Sequence, residues 1–303
     1  MNNRTRRRRV RVHSPAARRQ ARAFGGQQRL GGRRSLGGSP RSLGKARLLI
    51  ALAIAAFSFF SYMRSKEFNP VTGEEQYIGL ARHQEIAMGK QSAPQLIQQF
   101  GGLHPDASLQ ALVDEIGQEV VRESEASGTG WEFDFHLLAD PQTVNAFALP
   151  GGQVFITQAL LSQLETRGQL AGVLGHEVGH VVARHSTQRI AKENLRNGLT
   201  MAVVLGTGVD PRAVDTAGRL ISMKYGREDE LQSDRLGVEF MSDAGYDPRS
   251  MEGVMEILAR ASGGGARQAE FMSTHPSPEN RVQEIRSAVA KRFPGGVPAG
   301  LEP

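Results

Sequence analysis

The chain of 303 residues carries 37 Lys and Arg against 31 Asp and Glu, is 39% hydrophobic and contains no cysteine. A mean hydropathy of −0.35 excludes a polytopic membrane protein, and the missing thiols exclude disulfide frameworks, thiolate metal sites and cysteine nucleophiles. The net charge of +6 hides a segregation, because residues 1–47 hold 15 Lys or Arg and no acid, leaving 22 basic against 31 acidic residues in the remainder.

In chain order, residues 1–47 read as a disordered basic tail. Arginine clusters at Arg6–Arg9, Arg18–Arg19 and Arg33–Arg34 alternate with Gly, Ser and Gln, a composition that cannot bury enough apolar surface to offset its ordering entropy. Such a charge suits an anionic lipid surface or another polyanion; with no aromatic interleaving and no recognition fold, specific nucleic-acid binding is not expected. Leu48–Met63 is free of formal charge and flanked by Lys45, Arg47, Arg64 and Lys66. As a helix it would rise about 24 Å, just long enough for a single-pass transmembrane anchor. The positive-inside rule then keeps the N-terminus cytoplasmic and puts the rest in the periplasm or another extracytoplasmic space, with the mitochondrial inner membrane as the alternative. Ala53-Ile54-Ala55 has the form of a signal-peptidase site, but the apolar run ahead of it is too short for a signal peptide, so the anchor is expected to stay uncleaved.

Residues 64–84 read as a linker with turn signals at Asn69-Pro70 and Thr72-Gly73. A folded domain is expected over 85–293, followed by a tail over 294–303. Amphipathic helices are expected at Glu85–Phe100 and Ala107–Ser124. The alternation in Trp131–Leu138 predicts a strand, and Val144–Leu149 and Gln153–Thr157 flank a turn at Pro150–Gly152. From Gln158 onward the periodicity is helical, with breaks at 206–211, 245–248, 263–265 and 275–278. The fold class is α+β, mostly helical, with a small sheet before the central helix.

The chemistry is concentrated in Gly175-His176-Glu177-Val178-Gly179-His180, inside an otherwise apolar helical segment. Residues four apart share a helix face, so His176 and His180 can converge on one ion, and Glu177 can address the metal's open position. Buried ionisable groups are costly unless paired or metal-bound. Gly175 and Gly179 weaken the helix by about 1 kcal/mol each relative to Ala, which makes sense if another backbone or a substrate approaches closely. A third ligand must come from elsewhere. Glu230 and Asp234 share a face of a second helix; one can ligate while the other receives the outer N–H of a ligating histidine. His83, His104, His136 and His185 have no partner at ligand spacing, and His185, five residues after His180, is expected on a different face. No phosphate-binding loop is present.

Four blocks together resemble the M48 metallopeptidases, a family that includes HtpX-type, Ste24-type and Oma1-type membrane proteases and periplasmic bacterial relatives. They are Asn145–Gly152, Gly175–His180, Glu230-x-x-x-Asp234, and Thr274-His275-Pro276 with Arg281. Ser233 departs from the alanine common before the aspartate. No clear membrane helix follows the catalytic helix, which favours a single-anchor member. The resemblance implies a zinc peptidase with one Zn2+ per chain bound by His176, His180 and Glu230, with Asp234 supporting a histidine. It implies that Glu177 activates a zinc-bound water for attack on a peptide carbonyl, and that Asn145, Ala146, Phe147 and Ala148 pair with an extended substrate as an added strand. His275 and Arg281 become catalytic candidates for contacting the oxyanion. His275, in a loop rich in Gly and Pro, could also cap the zinc's fourth position. The expected function is a membrane-anchored zinc endopeptidase acting on unfolded or misassembled proteins. The alternative is a chaperone-like binding module with structural zinc, which an intact Glu177 disfavours.

Overall fold

The computed structural model describes residues 40–208, 225–263, 275 and 280–303. Expectations for the tail before residue 40, for Gly264 and Gly265, and for Thr274 and Pro276–Pro278 concern residues outside these. The long N-terminal helix α1, Pro40–Arg64, begins inside the stretch read as disordered. Its portion Gly44–Arg64 is long and apolar enough to cross a membrane, and Leu48, Ile50, Phe57 and Phe60 are exposed on it. Where a linker is expected, strands β1 (Lys66–Asn69) and β2 (Glu74–Tyr77) form an antiparallel hairpin.

Helices α2 (Arg82–Gln99) and α3 (Ala107–Arg122) follow. The side chain of Asp106 caps α3 by accepting from the Ser108 and Leu109 amides, a typical N-cap arrangement. A three-stranded sheet in the order β3-β5-β4 comes next, from Asp134–Leu138, Gln153–Thr157 and Ala146–Ala148. β3 runs parallel and β4 antiparallel to β5, with Phe147 opposite Phe155. β5 is buried along its whole length, so its central Val154-Phe155-Ile156 is an apolar run and not an alternation. The φ of +88° at Gly151 and the backbone of Ile86 packed against it leave no room for a side chain in the β4–β5 turn.

The remaining elements are helical: α4 (Gln158–Leu161), α5 (Arg167–Val182), α6 (His185–Thr207), α7 (Arg227–Asp243), α8 (Ser250–Gly263) and α9 (Arg281–Arg292). The central helix α5 is buried from Gly168 to Val182. Its apolar side chains pack in one cluster with α3, the sheet, α7, α8 and α9, through residues such as Ile116, Phe135, Ile156, Leu174, Phe240 and Ile285.

Both ends of α5 are held by segments that look peripheral in the sequence. At its start, Thr166 accepts from the Gln169 amide, and the Gly168 amide donates to the Pro303 carbonyl at 2.9 Å. Residues 294–303 therefore do not end as a free tail, because Glu302 bridges to Tyr246 and its carboxylate meets Arg167 at 3.0 Å. At the other end, the hairpin supplies Asn69 Nδ2 to the Val182 carbonyl at 2.8 Å and Gln76 Nε2 to the Ala183 carbonyl at 2.9 Å. These carbonyls have no partner within a helix that stops there.

The chain stops α5 at Arg184, the one non-glycine residue with positive φ (55°) among the described residues. Such a conformation costs about 1–2 kcal/mol. It is offset by a buried pairing of the Arg184 guanidinium with Glu85 and by its bond to the Leu80 carbonyl at 2.9 Å.

Candidate metal centre

Three glycines bring α5 and α7 into backbone contact. A Cβ on Gly237 would lie 3.1 Å from the His176 amide nitrogen, and one on Gly179 would lie 3.1 Å from the Ser233 carbonyl oxygen. Gly175 faces the Gly237 carbonyl in the same way, at 3.3 Å. The helix-weakening glycines of the H-E-x-x-H segment thus accommodate a second helix backbone. That approach sets Glu230 and Asp234 beside the two histidines.

All of the expected charged site residues are buried: His176, Glu177, His180, Glu230, Asp234, His275 and Arg281. His176 Nε2 lies 3.1 Å from His180 Nε2. The Glu230 oxygens stand 3.5 Å from each of these nitrogens. His275 Nδ1 approaches Glu230 Oε1 at 3.1 Å and His176 Nε2 at 3.4 Å. One ligand atom from each of His176, His180, Glu230 and His275 falls within 4.8 Å of the others. Three imidazoles and a carboxylate converging on one point form a donor set suited to zinc, and suited poorly to hard, oxygen-seeking cations.

The surroundings fit a cation at that point. Asp234 Oδ1 accepts from His176 Nδ1 at 2.9 Å, which fixes the proton on the outer nitrogen and turns Nε2 inward. Burial and the Arg281 charge both oppose a positive ring at His176, yet the bonds to Asp234 and Glu230 prevail and push its pKa up to about 9. Burial also works against ionised Glu230 and Asp234. Glu230 is nonetheless held well below the usual carboxylate range by His275 and His176, and Asp234 is held down by Arg281 and His176. His180 is pushed far down, first by burial and then by its neighbouring imidazoles, so it stays neutral.

Glu177 is fully buried, and neither of its oxygens has a hydrogen-bond partner among the described residues. Burial pushes its pKa up, and an imidazole nitrogen, His275 Nε2, lies 3.6 Å from Oε1. Leaving a buried carboxylate without hydrogen bonds is costly.

Arg281, the first residue of α9, turns its guanidinium to the carboxylates. It donates to both Asp234 oxygens at 2.6 and 2.8 Å and lies 3.3 Å from Glu230 Oε2. Asn145 and β4 lie on the free edge of the sheet, where β4 pairs with β5 alone among the described residues. Asn145 and Ala146 are buried, and Phe147 stacks on Phe155 with ring centroids 4.9 Å apart.

Two neighbours of the cluster escape a reading by spacing. His185, expected on another face, has Nδ1 2.9 Å from His180 Nδ1, because the left-handed turn at Arg184 breaks the helical register between them. Tyr225, just before α7, stacks on His180 at 4.1 Å and meets Ser186 Oγ at 2.9 Å. Burial pushes its pKa up to about 12, so it remains a neutral phenol. The one available signal for Tyr225 is its position immediately before the Gly226–Asp234 segment.

The model of peptidase family M48 matches residues 107–289, more than half of the chain and the whole of this constellation. The chain belongs to peptidase family M48. The family is one of metal-dependent peptidases, and the domain matched here is mostly helical. Its relatives include the mitochondrial metalloendopeptidase OMA1 of Schizosaccharomyces pombe, 28% identical over 74% of this chain and 66% of that protein. The OMA1 of Arabidopsis thaliana is 36% identical over 54% of this chain and 33% of that protein. The beta-barrel assembly-enhancing protease of Escherichia coli (strain K12) is 28% identical over 81% of this chain and 53% of that protein. The chain therefore spans less than two thirds of the length of each of these relatives.

The ion-pair geometry makes a stability prediction. Arg281→Met leaves Asp234 and Glu230 buried without their guanidinium, and breaking a buried pair from one side costs about 3–5 kcal/mol. Chemical denaturation of the variant should show this loss; an unchanged midpoint would mean that Arg281 contributes nothing net.

Proposed function

We propose that the protein is a membrane-anchored zinc endopeptidase that hydrolyses peptide bonds of unfolded or misassembled proteins outside the cytoplasm. The observation that carries this reading is Glu177, a fully buried carboxylate without a hydrogen bond among the described residues, beside three converging imidazoles and Glu230. His176, His180 and Glu230 are the assigned ligands, one zinc per chain. When bound, the ion supplies Lewis acidity, polarising a peptide carbonyl and lowering the pKa of water toward about 7.

Glu177, whose basicity is raised by burial, accepts the proton from the attacking water and returns it to the leaving nitrogen. Asp234 holds His176 by its outer nitrogen, and Arg281 in turn holds Asp234 and Glu230. This supports a positioning role for Arg281, because its nitrogens are directed at the two carboxylates. The open edge of β4 offers main-chain groups at Asn145–Ala148 to an extended peptide, a mode of recognition with little sequence preference. Such permissive binding suits unfolded chains, and the names of the relatives, a mitochondrial metalloendopeptidase and a protease that enhances β-barrel assembly, agree with a metal-dependent protease.

The mechanism predicts that Glu177→Gln retains zinc and loses casein cleavage by at least about a hundredfold. The comparison uses full-length protein with zinc measured in both preparations. Equal cleavage would sink the mechanism and leave the binding-module reading.

His275 has Nδ1 beside Glu230 and His176 and Nε2 near Glu177, so it stands where a fourth ligand would block water. We assign it a gate that closes the centre until substrate displaces it. His275→Ala should then raise basal proteolysis or self-cleavage while zinc stays bound; a fall in turnover would instead assign it to the oxyanion.

The anchor rests on α1 and its flanking charges. A reporter fused after Pro303 should be active only outside the cytoplasm, and a cytoplasmic signal would overturn this topology.

A further inference from the structure

The two histidines of the H-E-x-x-H segment are backed unequally. His176 leans on a carboxylate, Asp234, which Arg281 neutralises. His180 leans on another imidazole, with His180 Nδ1 2.9 Å from His185 Nδ1. His185 is itself buried, and its Nε2 lies 2.9 Å from Gln232 Oε1 on α7. Ser233 Oγ, at the position where the family often carries alanine, reaches His185 Nδ1 at 3.3 Å. The Tyr225 ring covers one face of His180.

From this arrangement we infer that His185 is a positioning residue that selects the metal-competent tautomer of His180 through a Gln232–His185–His180 relay. The chemistry follows from counting protons. The amide oxygen of Gln232 can only accept, so His185 carries its proton on Nε2. Its Nδ1 is then a lone pair and accepts from His180 Nδ1–H. That leaves the lone pair of His180 on Nε2, the atom 3.1 Å from His176 Nε2 and 3.5 Å from Glu230. With the opposite arrangement, a proton on His185 Nδ1 would leave His180 with its proton on Nε2, pointing at the centre and excluding a cation. The Ser233 hydroxyl can donate or accept at 3.3 Å from His185 Nδ1, so it is compatible with the first arrangement without deciding it.

The fold is built to deliver His185 to this place. A continuous helix would turn residue 185 away from residue 180, but the left-handed Arg184 ends α5 and starts α6 in a new direction. Arg184 is pinned by Glu85 and the Leu80 carbonyl, so the backbone that aims His185 is held by residues that precede α2 or lie in its first turn.

The inference rests on the zinc reading, and its test separates the two. Zinc affinity is measured by chelator competition on the full-length chain in detergent, for wild type, His185→Ala and His185→Asn. Asn places an amide oxygen where Nδ1 accepts. The expectation is that His185→Ala binds zinc roughly 10–100-fold more weakly and that His185→Asn stays within about threefold of wild type. An alanine variant within about threefold of wild type, or an asparagine variant as weak as alanine, would overturn the relay. Wild type that binds no zinc would overturn the metal reading itself.

A second measurement needs no variant. With eight histidines in the chain, long-range proton–nitrogen correlation spectra of the zinc-loaded wild type can assign each tautomer. They should place the proton of His180 on Nδ1 and that of His185 on Nε2; a proton on His185 Nδ1 would refute the inference.

Discussion

The close approach of α5 and α7 is the constraint on which the rest depends. Helices usually stand 8–10 Å apart, separated by side chains. Here Gly175, Gly179 and Gly237 remove those side chains where the two backbones meet. Each glycine costs about 1 kcal/mol of helix propensity. The return is that Glu230 and Asp234 reach the level of His176 and His180 without long, flexible side chains in between. Short, buried ligands lose little freedom when they are aligned, so the centre is organised by packing before any ion or substrate arrives.

That packing creates an electrostatic problem whose solution determines which groups surround the centre. Glu177, Glu230 and Asp234 are all buried, and carboxylates in a low-dielectric interior require compensation. Arg281 supplies one fixed positive charge to Asp234 and Glu230. The imidazoles supply the remaining polarity toward a point where a further positive charge is favoured. Glu177 lies near His275 but has no hydrogen bond among the described residues, and burial pushes its pKa up.

Precision at the centre also depends on what holds α5 lengthwise. The β1–β2 hairpin binds the last carbonyls of α5, and the Glu302–Pro303 segment binds its first turn and the Gly245–Asp247 loop. The hairpin begins two residues after α1 ends, so the segment that caps α5 is directly continuous with the helix proposed as the anchor. α1 also meets α6 directly, with Ser58 against Gly198 and Ala51 against Gly206.

Much of this was legible in the sequence because it is encoded in local periods. The alternation of Phe135 and Leu137 marked β3, and the four-residue spacing of His176 and His180, and of Glu230 and Asp234, set shared faces on single helices. Those relations survive in any tertiary context, since helix and strand geometry alone produce them. The sequence also determined the family, through blocks whose order and spacing are specific. Tertiary structure decided which groups back those ligands. His185 falls off the helical face of His180 by spacing and returns to it only because Arg184 adopts a left-handed turn held by Glu85. The hairpin and the chain end look like spacers because their apolar content is low, yet their amides and carbonyls complete the ends of α5. Contacts of this kind join residues about a hundred positions apart, such as Asn69 with Val182 and Arg281 with His176. No periodicity within one segment can carry that information, because it depends on where another segment's polar groups are left unsatisfied.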